Sequence, residues 1–139
     1  MKHHSTLITM LALTVLVLPA VTFASADSHR VVRSLESVDD SGVTGTVTLV
    51  QLGNGGTHIN VVAQGLEGGT DYVSLYYENH TCALEPYSED DVIGGSYTGN
   101  DKGLGRTHGS VDDGLDEINS VSVRLASDFT LLACADVNP

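Results

Sequence analysis

Fifteen glycines, gathered with asparagine and aspartate into turn-like clusters, cut this chain into runs too short for helices. The runs between the clusters alternate apolar and polar residues. Residues 45–52 (GTVTLVQL), 57–64 (THINVVAQ) and 71–78 (DYVSLYYE) carry the alternation of half-buried strands, as do Val121, Val123 and Leu125 between Ser120, Ser122 and Arg124. The turn Gly53-Asn54-Gly55-Gly56 tolerates positive φ and predicts a hairpin between the first two runs. Weaker runs at 31–36, 92–98 and 104–111 and a final run at 131–137 (LLACADV) bring the total to seven or eight strands. No stretch after residue 26 sustains helical periodicity. The expectation is an all-β, antiparallel Greek-key sandwich or barrel in one domain.

That domain starts after a leader. A weakly basic Met1-Lys2-His3-His4 is followed by an apolar run over 7–21 and by Ala24-Ser25-Ala26, the three-part pattern of a secretory signal peptide. The apolar run is short for a membrane span, which needs about 20 residues. Cleavage after Ala26 leaves residues 27–139, which is 139 less 26, or 113 residues, enough to bury one core. Lys2 is the one charged residue removed, so 5 Lys and Arg face 18 Asp and Glu, a net charge of −13. Such a surface repels nucleic acid and anionic membranes and attracts cations or basic partners. A periplasmic or extracellular location follows, and there the two cysteines, Cys82 and Cys134, are expected to form one disulfide.

Catalytic patterns are absent from the sequence. There is no G-x-S-x-G, no H-E-x-x-H and no zinc-type cysteine pair, and Gly103-Leu104-Gly105 lacks the third glycine of a dinucleotide loop. Four histidines remain after cleavage (His29, His58, His80 and His108), with no H-x-H or H-x-x-x-H spacing. A metal site for Cu, Zn or Ca would have to draw on His80, His108 and the acidic loop carrying Asp112, Asp113 and Asp116, brought together in space. The other acidic run is Glu89-Asp90-Asp91, and neither matches the spacing of an EF-hand loop. Asn79-His80-Thr81 is a glycosylation sequon. Tyr72, Ser74 and Tyr76 share one strand face and are a candidate surface for a protein or small-ligand partner.

The order of landmarks resembles that of copper/zinc superoxide dismutases. Val43-Thr44-Gly45-Thr46-Val47 matches that family's V-x-G-x-V strand, and Gly65-Leu66-Glu67-Gly68 its GL-x-x-G turn. Leu131-Leu132-Ala133-Cys134 stands where the family has R-L-A-C, with the loop cysteine at Cys82. The resemblance implies a Greek-key barrel stapled between that loop and the last strand. It also implies copper held by two histidines at i and i+2 of the strand after the turn. The matching positions are Ser74 and Tyr76, the later copper histidine falls at Arg124 or Leu125, and the guiding arginine at Leu131. Without imidazoles there, a redox copper site of that kind cannot form. Chordin-type β-domains share similar hairpins. The sequence therefore leads to an exported, non-enzymatic β domain with a structural or binding role. The alternative is a divergent metal-binding protein with dismutase-type activity.

Overall fold

The structure, a computed structural model, describes residues 29–86 and 88–139; the expected leader lies outside them. Among the described residues eight strands form: β1 (Arg30–Ser37), β2 (Thr44–Gln51), β3 (Thr57–Gln64), β4 (Asp71–Tyr77), β5 (Tyr97–Thr98), β6 (Leu104–Val111), β7 (Ser120–Leu125) and β8 (Leu131–Asp136). All pairs are antiparallel, in the order β5-β4-β7-β8-β1-β2-β3-β6. The two ends of this order, β5 and β6, lie against each other without ladder hydrogen bonds, so the sheet is a nearly closed barrel. β1 joins the two halves. Its first six residues pair with β2, and Glu36 and Ser37 then pair with β8. The links β3 to β4 and β6 to β7 join strands that are not hydrogen-bonded neighbours.

The alternation read from the sequence sets the register. Along β2 and β3, Val47, Leu49, Ile59, Val61 and Ala63 point inward and are wholly buried, while Thr46, Thr48, His58 and Asn60 face out. From the other half, Val121, Val123, Ala133 and Ala135 complete the core. Loop residues plug one end, where Leu115 and Ile118 are buried and Asn138 Nδ2 donates to both of their carbonyls. The run 92–98 is shorter as a strand than expected. Gly94 and Gly95 have φ of 67° and 85°, outside the extended region, so only Tyr97–Thr98 pairs, and Val92 makes one bridge to Leu75.

A second apolar cluster lies on the opposite face of β4. Val73, Leu75, Tyr77 and Cys82 are buried there, beneath the loop that follows β4, with Phe129, Leu131 and Cys134 packed against them. This loop is stapled by the expected disulfide, Cys82–Cys134, which spans 52 residues of sequence.

Candidate functional site

β4 is covered on both faces, and that decides where its side chains can act. Tyr72 is 2% exposed and Ser74 is fully buried, both on the core side. The Tyr72 hydroxyl accepts from Glu67 N at 2.8 Å, and its ring lies 6.1 Å from that of Tyr97. Ser74 Oγ is 2.9 Å from the Tyr97 hydroxyl, and burial pushes the Tyr97 phenol up to about 12, even though the Ser74 hydrogen bond acts the other way. Tyr72 and Ser74 are therefore not part of the open partner surface expected of Tyr72, Ser74 and Tyr76, while Tyr76 stays partly exposed. Period-two alternation separates two faces without saying which is outside, and here neither is bare.

The face of β4 that turns toward the disulfide carries Val73, Leu75 and Tyr77, beside Ser120, Ser122 and Arg124 of β7. Arg124 is only 5% exposed. Its Nε donates to the Tyr77 hydroxyl at 2.9 Å, Nη1 to the Phe129 carbonyl and Nη2 to the Cys82 carbonyl. The guanidinium also sits 5.9 Å from the Tyr77 ring centre, and Tyr77 in turn bonds Ser122 Oγ at 2.8 Å. Among the described residues the one contact of salt-bridge geometry joins His80 and Asp136, so no described carboxylate pairs with Arg124. The cation is held by neutral oxygens, which fix it as a clamp on the stapled loop rather than as a steering charge in an open channel.

These side chains lack the donors of a copper site of the dismutase kind. β4 carries Asp71, three tyrosines, a serine, a valine and a leucine, with no imidazole on either face, and the Asp71 carboxylate accepts from Thr98 Oγ1. No group of three or more His, Cys, Asp or Glu that could hold a metal occurs among the described residues. The donor set does not fit such a centre.

The candidate ligands His80, His108, Asp112, Asp113 and Asp116 are likewise not drawn into one group. His80 Nδ1 lies 2.9 Å from Asp136 Oδ1 on β8, whereas His108 stands on β6. Asp113 lends its backbone carbonyl to Thr57 Oγ1 at 2.9 Å, Asp116 lines a separate hollow with His29, and Asp112 is exposed. These positions form no metal-holding group among the described residues, although Asp112 directly follows the strand that carries His108. The sequon is also spoken for. Asn79 Nδ2 donates to Ala83 O and Glu85 Oε1, and its Oδ1 accepts from Thr81 N and Ala83 N, so a glycan on Nδ2 would cost one of the two donor bonds.

Sequence reasoning missed a convergence. The two acidic loops, far apart in the chain, meet in a cleft of about 90 Å³ lined by Tyr76, Glu78, Glu85, Asp91 and Asp113. Burial, helped by a hydrogen bond to Asp113 and by the charges of Asp113 and Asp91, holds the Tyr76 phenol above its ordinary range. Part of this acidity is structural. Asp91 Oδ2 accepts from Ser88 N at 2.7 Å and Ser88 Oγ accepts from Asp90 N, a capping box that opens the short 3-10 turn Glu89–Asp91. Positional pairing of the loops across the barrel could not be read from spacing alone. No protein-family model matches the chain, and no curated protein matches it.

Proposed function

We propose that the chain is an exported Greek-key β domain of dismutase-like scaffold with a structural or binding role and no dismutase chemistry. The observation that carries this reading is what stands where the resemblance would put the two copper histidines of β4: Ser74, fully buried with its Oγ 2.9 Å from the Tyr97 hydroxyl, and Tyr76, neither of them an imidazole. Supporting the scaffold are the non-neighbour links β3 to β4 and β6 to β7 and the tie from the post-β4 loop to the last strand. The disulfide is compatible with an extracytoplasmic location, and no helix among the described residues is long and apolar enough to cross a membrane. A binding role draws support from the acidic loops: nine of the eighteen Asp and Glu lie within 78–91 and 112–117. Basic partners are the class such a field attracts.

The test is a superoxide dismutation assay on the chain loaded with Cu²⁺ and Zn²⁺ and then washed free of unbound metal. Activity no greater than that of the washed buffer is expected. Superoxide turnover that stays with the washed protein overturns the proposal. Amino-terminal sequencing of the exported protein checks the location, with Asp27 expected as the first residue.

A further inference from the structure

We propose that His58 and His108 together form a two-imidazole site for a borderline divalent transition cation, Zn²⁺ or Cu²⁺, on the outer face of the barrel. The site is independent of the function proposed above and uses neither the β4 face nor the acidic loops. β3 and β6 pair over their full length, from Thr57↔Val111 to Gln64↔Leu104. His58 stands opposite Ser110 and His108 opposite Asn60, so the two histidines are diagonal neighbours on one face. The residues on either side of His58, Thr57 and Ile59, and Thr107 before His108 are buried, which aims both imidazoles outward. The ring centres are 5.7 Å apart with the planes tilted at 45°, a separation that one metal ion between two ring nitrogens can span.

Two features prepare this pair for a metal. First, His58 Nδ1 lies 3.0 Å from Ser110 Oγ. When Nδ1–H donates to that hydroxyl, the lone pair is left on Nε2. A hydrogen bond of this kind at the far ring nitrogen is the usual outer support of a metal-bound histidine. Second, no carboxylate stands at an outward position of β2, β3 or β6 themselves: these are Thr44, Thr46, Thr48 and Val50 of β2, Asn60, Val62 and Gln64 of β3, and Leu104, Arg106 and Ser110 of β6, while the exposed Asp112 follows just beyond the end of β6. Neither imidazole is tied to an acid, in contrast to His80 with Asp136. Imidazole donors select Zn²⁺ and Cu²⁺, and the absence of carboxylate oxygens disfavours Ca²⁺. Water fills the remaining coordination positions, so the ion is exchangeable. Arg106, two residues along β6 from His108, works against a cation, while the chain's net charge of −12 works for it.

The experiment is a calorimetric titration of Zn²⁺ into the untagged full chain at neutral pH. One site is expected. His58→Gln and His108→Gln should each weaken it by at least about tenfold, and Ser110→Ala by roughly tenfold through the lost outer support. His80→Gln should leave it unchanged. Zn²⁺ should raise the melting temperature of the unmodified chain and of His80→Gln, but not of the two Gln variants. Their melting temperatures without metal should match the unmodified chain, which separates loss of the site from loss of the fold. Absence of Zn²⁺ binding, or binding undiminished in both His58→Gln and His108→Gln, overturns the proposal.

Discussion

Replacing both Cys82 and Cys134 by alanine should cost the domain about 4 kcal/mol. The bridge spans 52 residues, and the chain-entropy relation gives about that value for a loop of this length. The alanine pair isolates the cross-link well, because the polar clamps on the loop are backbone contacts that survive. Cys82 N still donates to Ser120 Oγ at 3.2 Å, and its carbonyl still receives Arg124 Nη2. Cys82 is fully buried, so losing its sulfur adds a small packing term of about 1 kcal/mol. Against a total stability of about 5–15 kcal/mol, this is a large share. Urea unfolding followed by circular dichroism would read it directly, with the free energy extrapolated to water falling by about 4–5 kcal/mol. The melting temperature should fall by roughly 15 °C. A loss under about 1 kcal/mol would refute the reasoning, since the unfolded chain would then gain little freedom when the bridge is removed.

Three further outcomes follow from the same structure. Tyr97 titrates higher in the fold than in the unfolded chain, so its contribution is fully present below pH about 10 and is lost as pH rises toward about 12. Stability measured by denaturant titration should fall by about 2–3 kcal/mol across that window. Tyr97→Phe should flatten the decline while costing about 1–3 kcal/mol at neutral pH, because Ser74 Oγ loses its partner. Tyr72→Ala should destabilise by about 3–5 kcal/mol in thermal melts, as a core tyrosine; a surface residue would change stability by less than about 0.5 kcal/mol. Gly94→Ala should cost at least about 1–3 kcal/mol in urea unfolding, since φ is +67° and an added Cβ would lie 2.2 Å from the His108 carbonyl oxygen. An alanine variant as stable as the parent would mean the 92–95 segment does not press on β6 in solution.

Much of the fold was legible because it rests on local periodicity. The runs 57–64 and 104–111 became β3 and β6 with the expected bounds, and 45–52 and 71–78 became β2 and β4 within a residue. The pairing of Cys82 with Cys134 needed only a count of two and an oxidising compartment. The 92–98 run misled, because its alternation is interrupted by Gly94-Gly95, whose left-handed backbone removes it from the sheet. The candidate site was far less legible. Ser74 was placed correctly on one face with Tyr72 and Tyr76, but the inside of that face depends on which neighbours cover it.

The sequence by itself determined that this chain is an antiparallel β protein with one cross-link and a strongly acidic surface, since alternation, turn chemistry and charge are properties of neighbouring residues. Tertiary structure alone decided the rest. It buried Tyr72 and Ser74, turned Arg124 into a clamp on neutral oxygens, and separated His80 from His108. It also set His58 beside His108, fifty residues away in the chain. The physical reason is the ladder: strand order and register bring together side chains whose distance along the sequence carries no information about their distance in space.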